Sequence, residues 1–277
     1  MKMILKGKRA LVTGASVGIG RALARALASQ GVTVVVAARR TAALDDLAAE
    51  IAAAGHPRPR PLGVDLGKRG AAADLAARAT AEVGQIDILV NNAGANVLGS
   101  QFGAGDSDAM RELFELNYWS PLALIQALVP GMRQRRDGAV VNVTSLAGIA
   151  PWVFTGHYSS TKAALSLASE TLRLELRGSG VHVLELMAGP TETALLAGAR
   201  QNVPGAGRAM ALGPTGTTEE LARLVVRALE RRRKILVYPR TLGLTPVFPS
   251  PSRWFMTLLQ RKLDGDVSRL AQPGDRG

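Results

Sequence analysis

The sequence predicts an α/β protein built on a doubly wound, seven-stranded parallel sheet, in a single domain with helices on both faces. Short runs of β-branched and other apolar residues alternate along the chain with longer segments whose apolar residues recur at helical intervals. The first of these runs leads directly into a glycine-rich turn. Strands connected by helical crossovers lie parallel, so this alternation favours one sheet covered by helices.

Composition excludes several classes of protein. The chain has 277 residues, of which 47% are hydrophobic and 20% charged, which is typical of a globular protein rather than a disordered one. It has no cysteine, so disulfides, thiolate catalysis and cysteine-ligated metal sites are excluded. No apolar stretch approaches the ~20 residues of a membrane span, and the N-terminal segment is too short for a secretory signal. We therefore expect a cytoplasmic protein.

The formal net charge of +12 raises the question of a nucleic-acid or other anionic partner. Most lysines and arginines are dispersed, apart from clusters within residues 133–136 and 231–234. No aromatic residues interleave with these clusters, as a stacking platform for bases requires. Both clusters fall near predicted helix ends, where cations offset the helix dipole. We favour solvated helix termini and expect no nucleic-acid partner.

The turn after the first predicted strand has the order that a dinucleotide site needs. Residues 8–13 predict a buried strand, residues 13–20 read T-G-A-S-V-G-I-G, and a helix follows to residue 30. The three glycines would permit a tight turn, let the backbone approach a pyrophosphate, and allow close packing of helix on strand. The helix N-terminus would face the anion. The candidate cofactor contacts in this turn are Gly14, Ser16, Gly18, Ile19 and Gly20.

The end of the second strand, residues 32–37, bears on the choice of cofactor. A site for NAD places a carboxylate near here to bind the ribose hydroxyls, and that charge would repel a 2′-phosphate. This sequence instead has Ala38, Arg39 and Arg40. Arg39 offers a planar guanidinium to a phosphate, although both arginines could also be solvated residues at a helix start. We favour NADP over NAD, and the arginine that makes the main contact stays open.

The fifth predicted strand and the helix after it carry the clearest chemistry. Residues 139–144 form an apolar run that ends at Ser145, so this hydroxyl lies at the edge of the sheet where ligands bind. Residues 157–177 predict a helix in which Tyr158 and Lys162 share one face. An ammonium beside a phenol favours the phenolate, and Ser145 could hold a carbonyl oxygen that Tyr158 protonates. Either feature alone is more often packing or a turn.

Together these motifs resemble those of the classical short-chain dehydrogenases/reductases, over about residues 7–240. The match includes the T-G-x-x-x-G-I-G turn, the N-N-A-G of residues 91–94 after the fourth strand, and the serine, tyrosine and lysine with an asparagine upstream. The resemblance implies a Rossmann-type fold, hydride transfer with NADP(H), no metal and a homo-oligomer. It also implies a catalytic tetrad of Asn117, Ser145, Tyr158 and Lys162.

The resemblance assigns further contacts to the cofactor. It implies that Asp65 binds the adenine ring, that Asn117 holds a water joining the lysine to solvent, and that Thr193 binds the nicotinamide carboxamide. Most of the family has a proline where this sequence has Ala188, which puts the path of the following loop in doubt. Residues 197–214, rich in glycine, predict a lid over the substrate. The cofactor contacts implied outside the glycine turn and the two arginines are Asp65, Leu66, Asn91, Ala93, Gly94, Tyr158, Lys162, Gly189, Thr191 and Thr193.

Residues 241–277 form a C-terminal extension to the catalytic domain of residues 1–240. A short helix after Ser250 would place its apolar residues on one side and its basic residues elsewhere. One interpretation is that this helix forms an apolar rim that contacts an anionic membrane. The favoured interpretation is that the helix packs against its own domain or against a second subunit. The apolar residues are Trp254, Phe255, Leu258 and Leu259, and the basic residues are Arg253, Arg261 and Lys262.

The residues expected near the reacting carbon are almost all apolar, which favours a hydrophobic carbonyl compound over a sugar or a carboxylate. We therefore expect an NADPH-dependent carbonyl reductase, or the reverse alcohol dehydrogenase, acting on a hydrophobic ketone or secondary alcohol. The alternative from another class is a dinucleotide-sensing regulatory protein on the same fold without turnover. The apolar residues are Ala95, Val97, Leu98, Trp152, Val153 and Phe154.

Overall fold

The computed structural model describes residues 2–150, 152–193, 196–198 and 214–260 of the chain. Seven strands form one sheet in the order β3-β2-β1-β4-β5-β6-β7, and every neighbouring pair is parallel. This confirms the predicted sheet. The strands are β1 (Arg9–Thr13), β2 (Thr33–Ala38), β3 (Arg60–Gly63), β4 (Ile88–Asn91), β5 (Gly138–Ser145), β6 (Val181–Ala188) and β7 (Ile235–Tyr238).

Helices cover both faces of the sheet, because alternate residues of each buried strand point to opposite sides. In β1, Val12 belongs to one apolar cluster and Leu11 to the other. The first cluster includes apolar side chains of α1, α2 and α8, and the second those of α3 and α6. The helices are α1 (Gly18–Ala28), α2 (Thr41–Ala53), α3 (Ala71–Val83), α4 (Gln101–Ala104), α5 (Asp108–Phe114), α6 (Ser120–Arg135), α7 (Gly156–Glu175), α8 (Thr218–Glu230) and α9 (Pro249–Gln260).

The strand order reverses between β1 and β4. Strands β2 and β3 lie on one side of β1, and β4 to β7 lie on the other. In open α/β sheets a ligand crevice forms outside the carboxyl ends of the strands at such a reversal. The glycine turn follows β1 and the N-N-A-G segment follows β4, so both line this crevice.

One predicted helix is interrupted. Residues 106–135 read as a continuous helical segment, but the structure has α5, a single π-helical turn (Glu115–Trp119) and then α6. Pro121 lies in the first turn of α6 and has no N–H to donate to the carbonyl of Asn117, so the regular helical bond cannot form there. The interruption places Asn117, which is fully buried, at the bulge.

The chain after β7 forms a 3₁₀ turn (Arg240–Leu242) and then α9. Large apolar side chains of this segment are exposed, among them Trp254 and Phe255. In the described part of the chain, none of the helices combines the length and apolar character that a bilayer crossing requires. Residues 199–213 of the predicted lid and residues 261–277 of the extension lie outside the described residues.

Candidate active site

The four residues predicted to form the catalytic group come from three elements, and two of them, Asn117 and Lys162, lie beside Gly94. Ser145 ends β5, Tyr158 and Lys162 lie one turn apart near the start of α7, and Asn117 lies in the π turn. A methyl group added at Gly94 would lie 3.2 Å from Asn117 Oδ1 and 3.4 Å from Lys162 Nζ. The glycine after the fourth strand therefore leaves only narrow space above the lysine and the asparagine.

Tyr158 lies beside Ser145 and Lys162. The Ser145 hydroxyl is close enough to the phenol to lower its pKa, and its oxygen accepts a bond of 3.1 Å from Ala147 N. The Lys162 ammonium lies 5.9 Å from the centroid of the tyrosine ring. The three residues thus form a compact group.

Burial raises the pKa of Tyr158, and the hydrogen bond from Ser145 opposes this rise only in part. This direction is the reverse of the one expected from the sequence, which relied on the nearby ammonium. The physical reason is that burial removes the solvation of a phenolate, and at this distance the lysine does not offset that loss. Tyr158 is therefore a neutral phenol, which is a proton donor, in the protein at neutral pH.

Lys162 is buried, with only 4% of its surface exposed. Its Nζ donates a hydrogen bond of 2.9 Å to the carbonyl of Val143, in the strand beneath the site. Burial lowers the pKa of Lys162 to about 8, because an ammonium loses hydration there. One bond leaves two of the three N–H groups available for a ligand.

Asn117 joins the substrate side of the site to the catalytic helix. Its Oδ1 accepts a bond of 3.0 Å from Ala95 N, and its Nδ2 donates bonds of 3.0 Å to Ala95 O and to Thr161 Oγ1. Thr161 in turn donates to the carbonyl of Tyr158 at 2.7 Å. Thr161 was not predicted from the sequence; its position between Tyr158 and Lys162 was the only available signal.

The glycine turn fits tightly against the segment after β4. A methyl group at Gly14 would lie 2.8 Å from the Ala93 Cα, and one at Gly20 would lie 2.4 Å from both Gly14 O and Asn92 Nδ2. Asn92 Nδ2 donates to the carbonyls of Thr13 and Gly14 at 2.8 and 3.2 Å. This asparagine therefore satisfies main-chain groups, and the glycines are required by the close approach.

Thr13 is a second residue that the sequence argument missed, although it stands in the glycine motif. Its Oγ1 accepts bonds of 3.0 Å from the main-chain N–H groups of both Asn92 and Ala93, and donates to Val90 O. This hydroxyl fixes the two crevice-lining segments to each other. Its position as the first residue of the T-G-x-x-x-G-I-G motif was the signal in the sequence that could have identified it.

The N-terminus of α1 meets the requirements of an anion site. The helix begins at Gly18, and the preceding residue, Val17, makes no side-chain cap bond to the first turn. Its N–H groups therefore lack the usual internal partner, and a pyrophosphate could accept from them. Ile19, in the same turn, packs on the first apolar cluster. A dinucleotide thus fits the glycine cradle that the structure shows.

The structure distinguishes the two arginines at the end of β2. Both are exposed, but Arg40 Nη2 donates a bond of 3.3 Å to Ser16 Oγ in the glycine turn. Arg39, whose guanidinium the sequence argument also offered to a phosphate, makes no such bond within the described residues. Ser16 is itself buried. The guanidinium nearest the turn is therefore that of Arg40.

The other predicted cofactor contacts fall into two groups. Asp65 is partly buried, and its Oδ1 accepts from Gly67 N at 3.1 Å, while Leu66 is buried in the second apolar cluster. Asn91 is buried beneath the crevice, where its Nδ2 donates to Asn142 Oδ1 at 2.8 Å and to Pro121 O at 3.4 Å. The side chains of Leu66 and Asn91 therefore support the site from below, and only their main chains are left for a cofactor.

Strand β6 continues through Ala188, the residue that replaces the family's proline. Ala188 is in register with Ser145 and with Tyr238, and Gly189 N donates to Tyr238 O at 2.6 Å. The loop beyond then turns back over the glycine motif: a methyl group at Gly18 would lie 3.3 Å from Thr193 Cγ2. The replacement therefore does not displace the loop from the crevice. Thr191, also predicted, is buried and donates to Gly189 O at 3.1 Å.

The substrate side of Tyr158 is apolar, as the sequence suggested. Tyr158, Ala95 and Val97 pack against a small cluster formed by Ala104, Met110 and Leu113. Other predicted residues are more open, since Val153 is 40% exposed. Trp152 is partly buried, and its Nε1 finds no acceptor within the described chain.

Comparison with known proteins gives a consistent result. A family model for short chain dehydrogenases matches residues 8–204. A short chain dehydrogenase of Pseudocercospora fijiensis is 41% identical over 192 residues, which are 69% of this chain; the chain spans 62% of that relative's length. A fatty acyl-CoA reductase of Mycobacterium tuberculosis is 33% identical over 264 residues, covering 93% of this chain and 85% of the relative.

Solved structures extend the similarity almost to both ends of the chain. A short-chain dehydrogenase from Sphingobium yanoikuyae, determined in complex with NADPH, is 29% identical and superposes with a TM-score of 0.76. The match covers 98% of this chain and 100% of that one. The shared region includes the chain after β7.

Proposed function

We propose that this chain, which belongs to the short-chain dehydrogenase family, is an NADP(H)-dependent carbonyl reductase, or the reverse alcohol dehydrogenase, for a hydrophobic ketone or secondary alcohol. The observation that carries this proposal is the group of Ser145, Tyr158 and Lys162 at the carboxyl edge of the sheet, in which the serine hydroxyl lies next to the phenol. The apolar wall around Tyr158 supports the substrate class. So does the relative named as a fatty acyl-CoA reductase.

The glycine turn and the N-terminus of α1 would hold the pyrophosphate, and the loop of Gly189, Thr191 and Thr193 would lie over the nicotinamide half. The bound nicotinamide supplies the hydride, which is the difficult part of the chemistry. Asn92 and Thr13 keep the two crevice-lining segments at a fixed spacing. The protein therefore contributes position and electrostatics, and needs no metal for this step.

Tyr158 donates its proton to the carbonyl oxygen of the substrate, which Ser145 holds by a hydrogen bond. A phenol whose pKa is raised by burial carries this proton at neutral pH, so it can serve as the acid in reduction, and its phenolate as the base in the reverse reaction. Lys162 lies behind the ring and has two N–H groups left for the ribose hydroxyls and for returning a proton to the tyrosine.

Asn117 completes the path by which the proton is replaced. Both N–H groups of its side chain already donate to Ala95 and Thr161, so its side chain is not free to hold water through them. Its main-chain carbonyl has lost the bond that a residue other than Pro121 would have donated. We assign the relay water to this carbonyl, and the side chain to positioning.

Preference for NADP over NAD is part of the proposal. Arg40 and Ser16 are joined at the end of β2 beside the glycine turn, and no carboxylate stands at residues 38–40. A guanidinium and a hydroxyl suit a 2′-phosphate better than a diol. Several solved relatives of this fold, including the one from Sphingobium yanoikuyae, contain NADPH or NADP.

A homo-oligomer is also proposed. Leu167 and Leu174 on α7 are 66% and 61% exposed, and Trp119, next to the start of α6, is 54% exposed. Exposed apolar side chains on α7 and on the π turn that contacts it are typical of a protein interface. Light scattering of the purified full chain measures the assembly directly.

Replacing Tyr158 with phenylalanine tests the function. We expect the turnover of NADPH with a hydrophobic ketone to fall by ~10²–10⁴, because the proton donor is lost while the packing is kept. NADPH binding, measured by the fluorescence of the reduced cofactor, should change little. Tyr118→Phe removes a hydroxyl outside the group and serves as the control.

Two results would contradict the proposal. Normal turnover by Tyr158→Phe would remove the tyrosine from the mechanism. Tight NADPH binding by the unaltered chain, without oxidation by any ketone of a hydrophobic panel, would favour a dinucleotide-sensing protein instead.

A further inference from the structure

The chain after β7 presents an apolar surface that nothing in the described part of the molecule covers. We call it the C-terminal apolar face. Six large side chains form it, with exposed fractions from 45% to 68%, on the loop before α9 and on one side of α9 itself. Such a patch on an isolated chain marks an interaction surface. Its members are Leu244, Val247, Phe248, Trp254, Phe255 and Leu258.

This face borders the entrance to the candidate active site. A methyl group at Gly189, in the loop of the nicotinamide half, would lie 3.1 Å from Leu242 Cδ1. Farther along, Arg253 Nε donates a bond of 2.8 Å to Ile149 O, just after the turn that follows Ser145. The segment therefore runs along the carboxyl edge of the sheet, from the end of β6 to the end of β5.

The described chain after β7 carries charge of one sign. From residue 239 to residue 260 the sequence contains Arg240 and Arg253 and no aspartate or glutamate. Both arginines are exposed. Four further cations, Arg231, Arg232, Arg233 and Lys234, directly precede β7, and Arg261 and Lys262 are followed in the sequence by Asp264 and Asp266.

We propose that the C-terminal apolar face docks on an anionic lipid bilayer, with α9 lying in the plane of the interface. A helix with tryptophan, phenylalanine and leucine on one side and arginine nearby has the composition of an interfacial helix. The positive charge of Arg240 and Arg253 suits the negative surface of such a bilayer. Docking would bury the six apolar side chains in the boundary between headgroups and acyl chains.

A second copy of the chain fits this face less well. In a two-fold contact the same surface meets itself, so Arg240 and Arg253 of one copy would approach those of the other. Between β7 and residue 260, the last described residue, the chain offers no carboxylate to pair with them. Like charges brought together in a contact are unfavourable, whereas anionic headgroups neutralise them.

The docking also bears on the substrate, in a step that rests on the proposed function. A face beside the site entrance would place that entrance at the membrane surface. An apolar ketone or alcohol dissolved in the bilayer would then reach Ser145 and Tyr158 without crossing water. We therefore expect the preferred substrates to be long-chain, membrane-soluble carbonyl compounds or alcohols.

Vesicle binding by the full chain tests the docking without reference to turnover. We expect the protein to sediment with phosphatidylcholine vesicles that contain phosphatidylglycerol, and much less with phosphatidylcholine alone. Trp254→Ser with Phe255→Ser should weaken this binding by at least ~10-fold, since two large apolar side chains no longer enter the interface. Ile4→Ser removes an exposed apolar residue elsewhere, at 74% exposure, and should leave the binding unchanged.

Other outcomes separate the explanations. Absence of vesicle binding by the unaltered chain overturns the docking, and so does equal binding by the double variant. If the double variant instead changes the oligomeric state without lipid, the face is covered by a second copy. Turnover of a short, water-soluble ketone should be equal in the double variant and the unaltered chain. Its absence from both would count against the proposed function and leave the vesicle result standing.

Discussion

The two halves of the candidate site are built differently. The nucleotide half lies where β1 and β4 end, and its parts touch through the backbone: a methyl group at Gly20 would come within 2.4 Å of Gly14 O. The substrate half consists of the loops after β4 and β5, and it carries exposed side chains such as Phe102 and Val153. Because main-chain atoms are in close contact in the nucleotide half, few residue substitutions can be accommodated there. The loops of the substrate half can accept more substitutions.

This difference explains how far sequence reasoning could reach. The glycine turn, the N-N-A-G segment and the parallel sheet follow from spacing, because the backbone geometry there depends on a few small residues. The local sequence does not show whether Arg39 or Arg40 hydrogen-bonds Ser16, because the answer depends on where the second helix begins. In the structure the bond is made by Arg40. The π turn at Asn117 also could not be predicted, because the apolar pattern of residues 106–135 is that of a continuous helix.

The pKa of Tyr158 shows the same limit for electrostatics. The sequence places a lysine four residues away, which favours a lowered pKa. The structure buries the phenol, and desolvation reverses the direction. Burial depends on residues far along the chain, such as Met110 and Leu113, so spacing alone cannot decide it.

The largest expected effect tests the rigidity of the nucleotide half. Gly20→Ala places a methyl group against Gly14 O and Asn92 Nδ2, which requires the turn to open. We expect NADPH to bind at least ~10-fold more weakly and stability to fall by ~1–3 kcal/mol. Titration of cofactor fluorescence and chemical unfolding measure the two effects.

Gly131→Ala in α6 is the matched control for this glycine. Its methyl group would meet only the flexible end of Arg135, at 3.2 Å from Nη1. We expect unchanged cofactor binding and a stability equal to or above that of the unaltered chain. Equal cofactor affinity of Gly20→Ala and Gly131→Ala would refute the contrast between the two halves.

The next effect concerns Lys162, which lies between the two halves. Its pKa is lowered from 10.5 to about 8, so the folded protein binds fewer protons than the unfolded chain between these values. Stability due to this residue therefore rises as the pH increases through that window, and the buried ammonium is destabilising below it. Relative to Lys162→Met, we expect the unaltered chain to gain about 2 kcal/mol in unfolding free energy from pH 7 to pH 10.

Lys68→Met provides the comparison for this pH dependence. Lys68 is a surface lysine whose pKa is raised by its bond to Glu112, so its contribution cannot rise with pH in the same way. Denaturant unfolding at several pH values measures both variants. An equal trend for the two lysines would show that burial of Lys162 has no energetic consequence.

The smallest effect sharpens the comparison at the outer rim of the nucleotide half. Arg40→Ala should lower the preference for NADPH over NADH by about 10-fold, because a charged hydrogen bond to the 2′-phosphate is lost. Arg39→Ala is the matched control and should change the ratio less. The ratio of kcat/KM for the two cofactors is the measurement, and the reverse ranking would assign the phosphate to Arg39.

The bond from Gly189 to the carbonyl of Tyr238 has a practical consequence for anyone redesigning this molecule. The last strand supports the loop over the nicotinamide half through this hydrogen bond, and Leu242, which follows that strand, lies beside Gly189 in the same loop. Shortening the chain behind that strand is therefore an intervention at the reaction centre, and a truncated version would report on a loosened loop as much as on a missing tail.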